Sequence, residues 1–436
     1  MDLKEKIVSS FLAFEDSVDL DSSVHELRSE AIKKFEDHGF PTKKEEAWKY
    51  TSLNALQKVD FSLFPKEGAL DYKEVKSYFL HEIDSYKIVF IDGVYSSYLS
   101  ETTHEGMDIC LMSAALTKPT YKAVIDNYFN KAVKDDSMTH LNTAFSKEGA
   151  YIYIPKGKAP HKPIQIMHFS TGSEAAQMLQ PRNLIVLEEG AEAQIIERHQ
   201  NLTKNEVFTN VVTEIFVAER ANLDYYKVQN DRDNASLVDN TYIDQKSNSV
   251  ASVHTFSFGG KLVRNNLNFY QDGSRIDSVL KGITLLGEKQ HVDHYTLVHH
   301  AQPNCESHQD YKGIYADHST GVFNGKIIVD QIAQKTNAFQ QNNNILISDK
   351  ATVNTKPQLE IFADDVRCSH GCTIGQLDED ALFYLQSRGV PKKEATALLM
   401  YAFANNVLES VRLDALKNRI NGIIADKLGV ELGFDV

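Results

Sequence analysis

Apolar positions in the first 145 residues recur at helical spacing. Leu3, Ile7, Phe11 and Phe14 share one helix face, and Leu27, Ile32 and Phe35 repeat before Gly39, a residue suited to a C′ stop. Pro41-Thr42 then precedes an acidic first turn, Lys44-Glu45-Glu46, leading into Trp48-Lys49-Tyr50. Ile88-Val89-Phe90-Ile91 reads as a short strand ended by the turn pair Asp92-Gly93, and Tyr121 to Val133 as a helix.

From about 146 to 372 the period changes from helical to strand-like. Tyr151–Ile154, Leu184–Leu187, Ala193–Ile196, Val211–Val217, Ser252–Phe258 and Gly321–Val329 are apolar runs parted by Gly, Asn and Asp turns, with no amphipathic helix among them. Such a series suits a sandwich, a barrel or a solenoid. The length of the region and its repeated corners favour a solenoid, although no strict period is visible. Gln340–Asn344 suits stacked amide side chains and equally a polar loop.

Residues 373 to 436 return to helix. Asp378 can N-cap a helix through Ser387, Gly389 stands at a C′ position, and Pro391 suits the first turn of the next helix. Ala395, Leu398, Leu399, Ala402, Phe403 and Val407 form one stripe, and a third helix carries Leu413, Leu416, Ile420, Ile423 and Ile424 to Gly429. The broad apolar face is a candidate docking surface or packs on the β region; the pattern favours packing.

Composition narrows the function classes. A formal charge of −14, with Lys and Arg interspersed among acids, argues against a nucleic-acid partner. No run approaches the roughly 20 apolar residues that span a bilayer. Met1–Lys6 mixes charges and has no apolar stretch after it, so a cytoplasmic location is expected. Four cysteines, Cys110, Cys305, Cys368 and Cys372, are too scattered for a disulfide framework.

The sharpest local chemistry is Arg367-Cys368-Ser369-His370-Gly371-Cys372. On a strand, Cys368 and His370 project to the same side about 7 Å apart along the backbone, and Cys372 joins them if the strand survives Gly371. Thiolate and imidazole suit iron–sulfur units, zinc or copper, but two or three ligands do not close a four-coordinate site. The plainer alternative, a buried Cys and a structural His, is favoured on residue chemistry alone.

A second constellation is His291, Asp293, His294, His299, His300, Cys305 and His308. Neighbours such as His299 and His300 face opposite ways on a strand, so polar pairing is favoured over a metal site. No P-loop, GxGxxG, HExxH or GxSxG occurs, so any ATP used in the process is hydrolysed by another chain.

Three segments now carry a resemblance. Gly39–Thr51, Asn354–Ile361 with Ala363–Val366 and Cys368–Gly371, and Leu382–Pro391 resemble signatures of the SufB/SufD family of iron–sulfur cluster assembly scaffold proteins, in the order expected across the chain. The Trp-Lys-Tyr signature is on the SufD side. The resemblance implies a mainly β fold: a right-handed parallel β-helix over 146–372, between a mostly helical region 1–145 and a helical bundle 373–436. It implies a non-catalytic subunit that pairs with SufB through the β-helix and docks the SufC ATPase through Arg388, Gly389, Pro391, Ala395, Leu399, Ala402 and Phe403. A transient cluster would form at the SufB interface, with His370 as ligand, Cys368 assisting and Cys372, where alanine is more usual, undecided.

No stably bound cofactor is expected in the isolated chain. Flavin involvement and homodimerisation through the β-helix edge are left open. The rival readings are a β-helical carbohydrate-active enzyme and a self-contained metal-binding protein using the His291–His308 cluster.

Overall fold

The computed structural model describes residues 2–18, 22–64, 68–102, 106–172 and 175–430. Alternation of side chains decides its architecture. In strand Asn337–Leu346, Ala338, Gln340, Asn342 and Asn344 are buried while Phe339 and Gln341 between them are exposed, which also makes the amide run a strand rather than a loop. One sheet stacks Tyr86–Ile91, Ile164–Ser170, Glu192–Asn201, Asn222–Gln229, Val250–Ser257, Asp277–Leu286, Glu306–Tyr315, Asn337–Leu346 and Arg367–Gly375, every neighbour parallel. The other stacks Ala150–Ile154, Arg182–Leu187, Val207–Val217, Ala235–Gln245, Leu262–Gln271, His291–His300, Thr320–Val329 and Thr352–Ile361, again parallel. The chain alternates between the two sheets and winds a parallel β-solenoid of about eight turns.

The rung length is irregular, which hid it from the sequence. Ser236 pairs with Leu262, 26 positions on, whereas Thr320 pairs with Thr352, 32 positions on. What does repeat is backbone shape. Arg220, Asn248, Arg275, Asn304 and Lys335 occupy the same corner of successive rungs, all with φ between 57° and 63°. Corner amides stack from rung to rung, Arg220 N–H on Ser247 O at 3.1 Å and Asn248 N–H on Ser274 O at 2.9 Å. A left-handed corner is rare for Arg and Lys, though Asn adopts it readily, and the stacked hydrogen bonds help hold it.

The inside of the solenoid is apolar along one side, where Ile166, Ile185, Ile195, Ile215, Tyr225, Leu267 and Phe323 meet. Helices cover opposite outer faces. Leu3–Glu15, Ser22–His38 and Ser137–Phe145 join Trp48 in a cluster with Phe208 and Val238. Met400, Val407, Leu416, Ile420 and Ile424 of helices Lys392–Leu408 and Asp414–Leu428 pack on Tyr226, Phe256, Ile283 and Ile314.

Asp92 and Gly93, with φ of 51° and 78°, close a hairpin between Tyr86–Ile91 and Val94–Tyr95, as the turn pair predicts. Four expectations need correction. The acidic segment before Trp48 forms only one 3₁₀ turn, Glu46–Trp48, because Trp48 and Thr51 are drawn onto the solenoid. The helix after Tyr121 spans Lys122–Tyr128 and stops short of Val133; the left-handed Asn130 donates its amide to Glu214 at 2.9 Å instead. The sheets reach beyond 146–372, since Tyr86–Ile91 belongs to the first rung and the last strand runs to Gly375. In helix Lys392–Leu408 the buried stripe is Ala395, Ala397, Met400, Ala404, Val407 and Leu408, rotated from the predicted stripe and leaving Ala402 exposed.

Candidate functional site

Strand alternation and the end of the solenoid together make the site. Arg367–Gly375 pairs with Asn337–Leu346 on one side only, and Thr352–Ile361 pairs with Thr320–Val329 on one side only. Cys368 lies over Ala338, His370 over Gln340 and Cys372 over Asn342. Ala338, Gln340 and Asn342 point into the solenoid, so the two thiols and the imidazole share that inward face. Among the described residues no further rung covers them. His370 and Cys372 are exposed and Cys368 is half-buried against the cluster of Ile327, Ala338 and Ala363.

Burial pushes the Cys368 thiol above its ordinary range, against a smaller opposing effect from the Ala338 backbone. Cys368 therefore carries its proton at neutral pH and ligates a metal only on losing it. Beneath His370, the buried Gln340 amide has neither its Oε1 nor its Nε2 bonded among the described residues. Its side chain occupies the space over Gly325, where an added Cβ would stand 2.3 Å from Nε2.

The rim is apolar. Ile332, Phe339, Phe362 and Ile374 are exposed around this end, and Ile361 joins them at the edge. Pro357 sits in the terminal strand Thr352–Ile361, a placement tolerated where one side of a strand carries no ladder.

The His291–His308 constellation is dispersed, as the strand alternation predicts. His291 meets the Thr51 hydroxyl at 2.9 Å, and Asp293 binds Thr51 and Arg264. His294 turns inward between Thr284 at 2.9 Å and Asn265 at 3.3 Å, and burial lowers its pKa to about 4. His299 pairs with Asp330, His300 with Ser307, and the Cys305 thiol with the Gly273 carbonyl. His308 faces outward, stacked on Phe339. These residues make polar pairs rather than one metal centre. Asp293 instead anchors the N-terminal signature: the Arg264 guanidinium it binds lies 4.6 Å from the Trp48 ring and 5.2 Å from that of Tyr295.

The predicted docking residues divide. Arg388, Gly389 and Pro391 are exposed, with Gly389 at φ 90° ending helix Glu379–Ser387 and Pro391 capping the next. Ala402 is exposed and Leu399 half-buried. Ala395 is fully buried and cannot meet a partner, and Phe403 leans on the solenoid, its carbonyl accepting from Lys312 at 2.8 Å. Sequence reasoning missed the most exposed apolar pair here, Phe383 (73%) and Tyr384 (57%), on a helix with no buried residue. It also missed the one place among the described residues where three His, Cys, Asp or Glu donors gather within 4.8 Å: His168, Glu197 and His199. Their signal, a 31-residue offset from His168 to His199, needs the rung register to be seen.

A parallel solenoid with helices on two outer faces and a bare final rung defines the class of protein. Comparison with known proteins gives the family. Residues 168–403 match the family described as the SUF system FeS cluster assembly, SufBD core domain, and residues 1–166 match the SufBD protein N-terminal region. The chain is 32% identical to the iron–sulfur cluster assembly protein SufD of Escherichia coli (strain K12) over 393 residues, covering 89% of this chain and 90% of that protein. It is 32% identical to an iron–sulfur cluster assembly SufBD family protein of Synechocystis, covering 88% and 87%, and 27% identical to SufD of Bacillus subtilis, covering 70% of each. The chain belongs to the SufBD family of iron–sulfur cluster assembly proteins and is SufD-like. Among its described residues no helix is long and apolar enough to cross a membrane.

Proposed function

We propose that this chain is a scaffold subunit that forms a nascent iron–sulfur cluster site together with a SufB-type partner seated on its last rung. The observation that carries this reading is the bare rung itself: a thiol, an imidazole and a second thiol on one face, ringed by exposed apolar side chains, beside two strands with unpaired edges. An exposed strand edge is a template for pairing with another chain, and the apolar rim adds area to bury. The partner would add strands to both sheets and supply the donors that this face lacks. A second copy of the chain would use the same edges.

Iron and sulfide are cargo here. His370 donates neutral imidazole, Cys368 joins once the proton is displaced by the metal, and Cys372 stands two positions further along the face. ATP is hydrolysed by a SufC-type subunit docked on the helical region, where Phe383, Tyr384 and Arg388 offer an exposed apolar and cationic surface. The subunit catalyses no step of its own and works in the cytoplasm.

Anaerobic cluster reconstitution of the assembled complex tests the site. His370→Ala is expected to lower the visible absorbance of the cluster with the complex still assembled. Undiminished absorbance from that complex would remove His370 from the role.

A further inference from the structure

A second donor set lies inside the solenoid near its other end. His168 follows Ile164 and Ile166 on the inward side of its strand, and Glu197 and His199 follow Ile195 on the next. Register sets His199 directly over His168, and their rings lie parallel with centroids 4.5 Å apart. Glu197 Oε1 is hydrogen-bonded to His199 Nε2 at 3.3 Å and stands 3.7 Å from His168 Nε2. All three side chains are buried.

We propose that His168, His199 and Glu197 form a binding site for one divalent first-row transition ion, of the Fe²⁺ or Zn²⁺ class, separate from the open rung. Two imidazoles and one carboxylate are the donor set such ions take, and they leave a coordination position free. Donors held about 2.0–2.2 Å from a tetrahedral ion lie about 3.3–3.6 Å from one another. The two distances from Glu197 are close to that spacing.

The surroundings support the assignment. His168 Nε2 has no hydrogen-bond partner among the described residues, whereas the interior His294 uses both ring nitrogens. The carboxylate is oriented as a ligand would be. Tyr225 donates its hydroxyl to Oε2, and Asn183 donates to Oε1 at 3.2 Å. Nearby, Lys227 binds Asp239 at 2.6 Å and stands 4.0 Å from Glu197. Two carboxylates face one ammonium here, which favours a further cation beside Glu197.

The plain alternative is an aromatic ladder, since Phe90 also stacks on His168 at 4.9 Å. The two readings differ in ring geometry. Coordination requires each imidazole plane to contain the ion, so binding turns the rings out of parallel and breaks the stack.

The test uses the full chain, stripped with chelator and given Co²⁺, then Zn²⁺, both by direct titration and by refolding with the ion present. One equivalent is expected to survive desalting, with the visible absorption of low-coordinate Co²⁺. His168→Gln and His199→Gln are expected to lose it while His308→Ala keeps it. Tyr225→Phe, which keeps the ring and the fold, should weaken binding roughly 10–100-fold. No retained ion by either route, or unchanged affinity in Tyr225→Phe, would overturn the site. So would an ion lost with His370→Ala instead, which would place it on the open rung. Cluster assembly that fails while this ion still binds would count against the proposed function and leave the interior site standing.

Discussion

The two ends of the solenoid meet the same physical problem and treat it differently. Each sheet must stop somewhere, and a stopping strand presents unpaired amides and carbonyls. At the first end the chain covers itself: Val94–Tyr95 and Asp108–Leu111 add antiparallel strands, and Tyr86–Ile91 is buried along nearly its whole length. At the other end Thr352–Ile361 and Arg367–Gly375 contain no buried residue at all. The closed end is built for stability, and the proposed function assigns the open end to a second protein. Mutations where the chain covers its own solenoid and mutations on the bare rung should therefore divide between folding and association.

The largest effect is expected on the face closed by the N-terminal region. Arg264 and Asp293 are each about 1% exposed, so Arg264→Ala leaves a buried charge unpaired and should cost about 3–5 kcal/mol in denaturant unfolding. Trp48→Ala removes the ring over that guanidinium and should cost a similar amount, about 3–5 kcal/mol, by the same measurement. Costs below about 1 kcal/mol would mean that this contact does not hold the N-terminal region in place.

At the open end the order reverses. Phe362→Asp combined with Ile374→Asp should change the chain's own stability by only about 0.5 kcal/mol per substitution. The pair should weaken association with the partner by at least 2 kcal/mol, roughly 30-fold, in equilibrium sedimentation. Partner affinity left intact would move the interface elsewhere.

The smallest effect concerns thiol chemistry. Burial raises the Cys368 pKa, so its thiolate fraction is low at pH 7 and grows only as pH climbs beyond the ordinary thiol range. Alkylation followed by mass spectrometry should label exposed Cys372 first, with Cys368 catching up at alkaline pH. Equal rates at pH 7 would show Cys368 to be more open than its packing against Ala338 and Ala363 implies.

Local structure was legible where one residue type dictates one backbone shape. Asp92-Gly93 marked a hairpin, Asp378 caps its helix by accepting from Asp380 and Ala381, and Gly429 ends the last helix at φ 63°. The shared face of Cys368 and His370 followed from strand alternation alone. The solenoid period was hidden because successive rungs differ in length, 26 positions from Ser236 to Leu262 and 32 from Thr320 to Thr352, and because the same corner is filled by Arg220, Arg275 and Lys335 as well as by Asn248 and Asn304. The interior His168–Glu197–His199 group was hidden for the same reason.

Tertiary contacts decided the remaining differences. Trp48 and Thr51 are held by Arg264, His291 and Asp293, partners more than 200 positions away, and this pull shortens the helix expected there. Ala395, which looked available to a partner, is fully buried, whereas Phe383 on the preceding helix is exposed.

Hydrogen exchange compares the two ends within one molecule. Amides of Thr352 to Gly375 should exchange fast in the isolated chain and become protected when a SufB-type partner binds, while those of Tyr86–Ile91 stay slow in both states. Exchange at Thr352 to Gly375 that is already slow alone, or unaltered in the complex, would contradict the claim that this rung is left open for another subunit.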